Sequence, residues 1–295
     1  MNRYGLLNLN KPPGMTSRRV VDRVQKLARK LKAGHAGTLD PLATGVLVVC
    51  VGAATRLIEH VQQMRKCYTG TFLLGRESAT EDVDGEVVEL AEPPIPSRAE
   101  IEAAAARLTG RIEQRPPAYS ALKVDGQRAY ARARRGEAVT LKPRPVHVYR
   151  LEVIEYRYPE LVLAVECSAG TYIRSLGRDL AASLFTAAVL ERLVRTAVGP
   201  FRLAEAVDPR RLFPHNWTAH ILPARTAVGS LPAIALDEAE LGEIRHGRAI
   251  RRPEAGEGTR FAGLDPAGDL AAVLVTCGPG RVRAELNLPP PQGAA

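Results

Sequence analysis

Six consecutive apolar residues, Val46 to Val51, follow a glycine-rich stretch directly, and their mostly β-branched side chains predict a buried strand. The stretch before them reads Gly34-His35-Ala36-Gly37-Thr38-Leu39-Asp40-Pro41-Leu42-Ala43-Thr44-Gly45. Glycines let a backbone turn tightly or approach a ligand closely, and Pro41 restricts Asp40 to extended conformations. A loop of this kind can hold a carboxylate rigidly. On composition alone, an Asx-turn aspartate at the strand entry, with His35 bonding the loop, accounts for the same residues.

The flanking sequence supplies the rest of a core. Tyr4 to Leu9 reads as a strand, Lys11-Pro12-Pro13-Gly14 as a turn, and Thr16 or Ser17 as the N-cap of a helix. In that helix Val20, Val24, Leu27 and Leu31 form an apolar stripe, while Arg18, Arg19, Arg23, Lys26, Arg29 and Lys30 form a basic face. Tyr68 to Leu74 is a second expected strand, and Ser97 with Glu100 makes a capping box for a helix to about Leu108. Leu161 to Cys167 alternates as a strand, and Ile173 to Leu184 can form a helix. Between Arg115 and Pro145 the pattern becomes irregular, as expected of a loop excursion. Beyond Leu222 short strand-like runs alternate with turns such as Asp265-Pro266-Ala267-Gly268. The expected organisation is therefore an α+β main domain over residues 1–222, a small β-rich domain over 223–289, and a disordered tail over 290–295.

Charge separates along this chain. The net charge is +9, yet residues 1–35 hold nine Lys/Arg against one acid and residues 111–150 hold ten against three, so the remainder is net acidic. Two basic blocks on an acidic body favour phosphate-facing surfaces over a uniformly solvated exterior. Cys50, Cys67, Cys167 and Cys277 sit in apolar stretches without C-x-x-C spacing, so they are expected to be reduced core residues rather than a zinc site or disulfide framework. The amino terminus, Met1 to Gly5, is not a charged region followed by a long apolar one as in a signal sequence, and no apolar run reaches membrane-spanning length, so a soluble, cytoplasmic chain is expected.

Five ordered stretches carry a resemblance to a known family. The string Gly34 to Leu47 closely resembles the catalytic motif of the TruB family, bacterial tRNA pseudouridine synthases that act at T-loop position 55. Lys11 to Ser17, Lys66-Cys67-Tyr68 with Leu74-Gly75, and Gly170-Thr171-Tyr172-Ile173-Arg174-Ser175-Leu176 resemble its other motifs. Pro116 to Gly126 looks like its RNA-clamping insertion, here about 111–145. The resemblance implies a pseudouridine synthase domain with a mixed, largely antiparallel central sheet flanked by helices, and a PUA-like C-terminal RNA-binding domain. It implies Asp40 as the catalytic carboxylate, Arg174 as its ion-pair partner, and Tyr68 stacking on the flipped uracil. Tyr172 and Leu193 would line the pocket, His35 would fill the space left by the base, and Lys11 would support the site. Asp82, Lys123, Arg128, Arg132 and Arg134 are the further expected RNA contacts.

Two departures stand out. Where the family commonly reads T-D-T-x-D-x-x-G, this chain has Ser78-Ala79-Thr80-Glu81-Asp82-Val83-Asp84-Gly85, without the first aspartate. Where it often reads L-R-R-T, this chain has Leu193-Val194-Arg195-Thr196. The implied activity is cofactor-free isomerisation of a uridine in the tRNA T-arm by a monomer that needs no obligate protein partner, no membrane and no metal. The competing reading is a non-catalytic protein that binds or folds tRNA on the same scaffold, and retention of both Asp40 and Arg174 favours catalysis. A metal-dependent phosphohydrolase built on His35 and Asp40 is poorly supported, because no neighbouring cluster supplies more ligands.

Overall fold

The computed structural model describes residues 4–29, 31–120, 122–124, 127–128, 132, 135, 137, 141–256 and 258–290, without the side chains of residues 123, 124, 127 and 128. In chain order the main elements are β1 (Gly5–Lys11), α1 (Ser17–Ala28), β2 (Ala33–His35), β3 (Thr44–Val51), α2 (Ile58–Gln63), β4 (Lys66–Leu74), α3 (Arg98–Arg107), β5 (Gly110–Gln114), β6 (Arg144–Arg157), β7 (Glu160–Cys167), α4 (Ile173–Ala182) and β8 (Ala188–Val198). Beyond these come β9 (Ala233–Ala235), α5 (Glu238–Arg245), β10 (Ile250–Arg251), β11 (Arg260–Leu264), β12 (Leu270–Gly278) and β13 (Arg281–Asn287). They form two compact units, one of residues 1–40, 46–62 and 200–295, the other of residues 41–45 and 63–199.

In the first unit, Val46 to Val51 are all unexposed, as the apolar run requires, and β3 is flanked by β1 and the short antiparallel β2. Thr16 is the N-cap of α1, its hydroxyl accepting from the Arg19 amide at 3.2 Å. The helix stops at Ala28, where Arg29 turns to φ +54, so Leu31 is not part of its stripe. Nor is the basic face uniformly free. The Arg23 guanidinium donates to the carbonyls of Pro209, Arg210 and Leu212 at 2.5, 2.9 and 3.0 Å, which makes it a structural tie. The expected boundary at 222/223 falls inside this unit, where the Tyr4 hydroxyl donates to the Pro289 carbonyl at 2.6 Å and Arg56 donates to the Asn287 carbonyl at 2.8 Å.

Residues 233–287 nevertheless own a five-stranded sheet in the order β9-β11-β12-β13-β10. Its core is Leu236, Leu241, Ile244, Ile250, Phe261, Leu274 and Val282, and α5 starts with an Asp237–Glu240 capping box. The β-rich C-terminal part is thus present as expected, whereas the expected tail falls on 291–295, outside the described residues. Cys50 and Cys167 are buried, and burial pushes their thiols up to about 12 and about 11. Cys277 is exposed on β12, contrary to the core placement its apolar neighbours suggested: an edge of alternation puts it on the solvent side.

The second unit is built on a mixed, largely antiparallel sheet. β8 runs parallel to the first residues of β3, then β8, β4, β7, β6 and β5 pair antiparallel in succession. Alternation puts Lys66, Tyr68, Gly70, Phe72 and Leu74 of β4 on one face. Helix α4 packs on β8 and β4, while α3 packs on β6 and against α4. The close approach of α4 requires a residue without a side chain: a Cβ at Gly177 would stand 2.1 Å from Phe72 Cε1. Ser97 and Glu100 complete the capping box of α3.

Candidate active site

The carboxylate-bearing loop is held from its own unit. Asp40 is half-buried, and the residue before it, Leu39, is tied at both backbone polar atoms to the first residue of α1. Ser17 Oγ donates to the Leu39 carbonyl at 2.9 Å and accepts from its amide at 2.8 Å, with both residues buried. Pairing to a buried hydroxyl removes the freedom that a glycine-rich loop would otherwise have. His35 lies in β2 opposite Val49, half-buried. Lys11 is fully buried, and its ammonium donates to the carbonyls of Pro12 and Met15 at 3.1 and 2.6 Å. It holds the turn that leads to Ser17, a supporting role.

In the second unit Tyr68 is buried, 8% exposed, with Val165 opposite on β7 and Arg195 opposite on β8. Directly opposed residues share a face, so the guanidinium of Arg195, 1% exposed, flanks the tyrosine. Lys66, on the same face two residues away, is pushed down to about 8 by burial, with a further contribution from the Arg195 charge. Leu193 lies opposite Gly70 and is buried, and a Cβ at Gly70 would stand 3.6 Å from Ile173 Cγ2. The first residue of α4 thus lies over Gly70, on the sheet face that carries Tyr68 and Leu193. The segment preceding the run Val46–Val51 is fixed to the same strand: Thr44 pairs with Val194 and Gly45 with Arg195. Gly45 sits at φ +98, and a Cβ there would meet the Arg195 carbonyl oxygen at 2.3 Å, so only glycine fits.

The start of α4 carries the other two expected residues. Tyr172 is its N-cap residue, and buried Gln114 clasps it at both backbone atoms, donating to its carbonyl at 3.0 Å and accepting from its amide at 2.8 Å. The Arg144 guanidinium stands 5.0 Å from the centre of the Tyr172 ring and donates to Gly170 O at 2.6 Å. Arg174, two residues on, is buried. It lies 3.2 Å from Asp82 and donates to the carbonyls of Thr80 and Tyr119 at 2.7 and 3.0 Å. Asp82 is 4% exposed, and its carboxylate also accepts from Thr80 Oγ1 at 2.6 Å and from the Asp84 amide at 3.2 Å. Burial still outweighs these partners and raises its pKa. An RNA contact was the expectation for Asp82. The carboxylate instead faces inward, because Arg174 and the tight 80–84 turn consume it.

Of the basic residues expected to clamp RNA, Arg132 is half-buried and pairs with Glu137 at 2.7 Å. Lys123 and Arg128 lie in a short β-hairpin whose side chains are outside the described residues, and Arg134 is outside them altogether. Gln114, Arg144 and Arg195 were not singled out from sequence, and Ser17 was read only as a possible N-cap. Ser17 and Arg195 stood inside quoted motifs, but Gln114 and Arg144 had no local signal, since their partners are 58 and 26 residues away. Among the described residues no group of three or more His, Cys, Asp or Glu could hold a metal ion. No described helix is long and apolar enough to cross a membrane.

Known proteins share this arrangement of chain. Residues 25–173 match the family described as TruB family pseudouridylate synthase (N terminal domain). A tRNA pseudouridine synthase B of Syntrophobacter fumaroxidans is 42% identical over 263 residues, covering 88% of this chain and 86% of that protein. One from Mycobacterium sp. (strain KMS) is 41% identical over 290 residues, covering 97% and 96%. Among solved structures, a Cbf5-Nop10-Gar1 complex superposes with a TM-score of 0.76 at 25% identity, covering 97% of this chain and 84% of that one. An H/ACA RNP bound to a substrate RNA containing 2'-deoxyuridine gives a TM-score of 0.75 at 25% identity, covering 98% and 86%. With the motifs, the sheet and relatives above 40% identity over nearly the whole length in agreement, the chain belongs to the TruB family of pseudouridylate synthases.

Proposed function

We propose that this protein is a cytoplasmic tRNA pseudouridine synthase that isomerises uridine 55 of the T-loop without a cofactor. The observation that carries this reading is the convergence of Tyr68, Leu193 and the start of α4 on one sheet face, with the charged group of Arg174 fixed by buried partners. Relatives that align over nearly the whole chain bear the name tRNA pseudouridine synthase B, which supports tRNA as the substrate.

The reaction breaks the N1–C1′ bond, turns the uracil and rejoins C1′ to C5; the C5 hydrogen leaves and N1 gains one. A base in a folded loop must leave its stack first, at a cost of a few kcal/mol. In this reading Tyr68 stacks on the flipped uracil, Leu193 and Tyr172 wall the pocket, and His35 fills the space the base leaves. Asp40 acts on the sugar or the base as a carboxylate. Three residues lie between it and Thr44, whose hydroxyl donates to the Leu193 carbonyl at 3.4 Å. Arg174 supplies the cation of the site in this reading, and Asp82 keeps it oriented. In this reading the Tyr68 phenol oxygen accepts the C5 proton after rotation. The basic insertion, and the β-rich C-terminal sheet, hold the tRNA backbone.

Incubating the protein with tRNA tritiated at uridine C5 tests the reading, because product formation requires that C–H bond to break. Tritium release from the wild type and none above background from Asp40→Asn is the expected result. Absence of release from the wild type would leave only RNA binding.

A further inference from the structure

The loop that departs from the family pattern at Ala79 is anchored in a way the pattern does not contain. Ala79 is exposed and carries no carboxylate, but Glu81, at the variable position of the pattern, is turned inward. Its backbone takes φ +62, a left-handed conformation unusual for a residue with a side chain, and its carboxylate is 14% exposed. There it accepts from Ser175 Oγ at 2.9 Å and forms an ion pair with Arg178. Backbone strain of this kind persists only where the surroundings over-determine it. Here they do: Leu190 of β8 donates its amide to the Glu81 carbonyl at 3.0 Å and accepts from the Val83 amide at 3.1 Å.

Arg174 and Arg178 are four residues apart on α4 and so share one face of the helix. Both reach the same two segments. Arg174 binds Thr80 O and Asp82 on one side and Tyr119 O on the other; Arg178 binds Glu81 on one side and Arg115 O, at 2.8 Å, on the other. Three consecutive residues, Thr80, Glu81 and Asp82, thus attach alternately to the two arginines. The 115–119 segment, where the basic insertion leaves the sheet, is attached in parallel.

We infer that Glu81 and Arg178 are a positioning pair that orders this loop in the absence of a carboxylate at Ala79, fixing Asp82 and through it Arg174. The pair touches no reacting atom; it sets the angle at which Arg174 is presented. The inference rests on the proposed pseudouridine synthase reading. Losing the pair slows the chemical step while tRNA binding persists.

The test compares the full-length wild type with Arg178→Met, Glu81→Gln and the double variant, using C5-tritiated tRNA. Single-turnover rate at saturating enzyme, tRNA dissociation constant and melting temperature are read for each. The expected result is a rate about tenfold slower in each single variant, about 1.4 kcal/mol of barrier. The dissociation constant stays within about twofold, and the double variant is no slower than the worse single. Single-variant rates within about twofold of wild type overturn the inference, as does a double variant slower by the product of the two effects. Rate losses that merely follow weakened tRNA affinity or a lowered melting temperature overturn it too. If the wild type itself releases no tritium, the functional reading falls with it; if only the variants fail to slow, the pair alone is refuted.

Discussion

Arg174 Nη1 lies 3.2 Å from Asp82 Oδ2, and both side chains are only 6% exposed. The two charges are withdrawn from water together, the carboxylate accepting also from the Thr80 hydroxyl and the guanidinium donating also to the Thr80 and Tyr119 carbonyls. A buried pair of this kind contributes geometry more than stability. Asp82→Asn keeps the shape and removes the charge, so Arg174 loses its orientation. The single-turnover rate is expected to fall by about tenfold to a hundredfold with tRNA affinity intact. A wild-type rate in the variant would refute the role.

The same carboxylate sets a pH dependence. Burial raises the Asp82 pKa above its unfolded value, so its protonated form is favoured by folding. Its stability contribution is complete below the unfolded pKa and is lost as pH rises through the folded one. The stability of wild type relative to Asp82→Asn is therefore expected to rise as pH falls through that range. Urea unfolding at several pH values measures this, and a relative stability that falls toward acid would contradict it.

Lys66 gives the opposite window. Its pKa falls from 10.5 to about 8, first by burial and then by Arg195. Below about 8 both folded and unfolded chains carry its proton; between that value and 10.5 only the unfolded chain does, so stability rises with pH there. The full difference is about 3 kcal/mol. In Lys66→Met this rise disappears. An unchanged pH slope in that range would show that Lys66 is not held desolvated.

Ser17→Ala removes both hydrogen bonds to Leu39 and leaves a buried amide and carbonyl without those partners. The expected cost is about 1–3 kcal/mol of stability. Because Asp40 is the next residue, kcat should drop more than KM rises. A variant with normal kcat would show that the loop keeps its shape without Ser17.

Neutralising Arg128, Arg132 and Arg134 together is expected to flatten the salt dependence of tRNA binding, by somewhat under one unit of log–log slope for each phosphate that is no longer neutralised. Arg132 should contribute least, since Glu137 already answers its charge. Arg23→Gln serves as the contrast. Its guanidinium is spent on three carbonyls, so stability falls while the slope stays. Equal slopes for all variants would place the clamp elsewhere.

Much of this was written locally. The Val46–Val51 run, the Thr16 and Ser97 caps, and the alternation of Leu161–Cys167 each follow from neighbours a few residues away, and the structure reproduces them. Asp40, Tyr68 and Arg174 were named from motif wording, which identifies residues without stating what they touch. The errors fall where side-chain direction mattered. Asp82 and Arg23 were read as outward charges, and both face inward.

What the sequence determined by itself is part of the set of strands and helices, with the caps at Thr16 and Ser97, and, through the resemblance, the candidates to act on a uridine; it named neither Arg144–Arg157 nor Ala188–Val198 as strands. Tertiary structure alone decided which arginine meets which carboxylate. Arg174 reaches Thr80 across 94 positions and Tyr119 across 55, and Gln114 reaches Tyr172 across 58. Such pairings carry no local pattern, because periodicity and propensity extend only over a few residues. They arise when the sheet face and α4 close on one another and every buried polar group must find a partner.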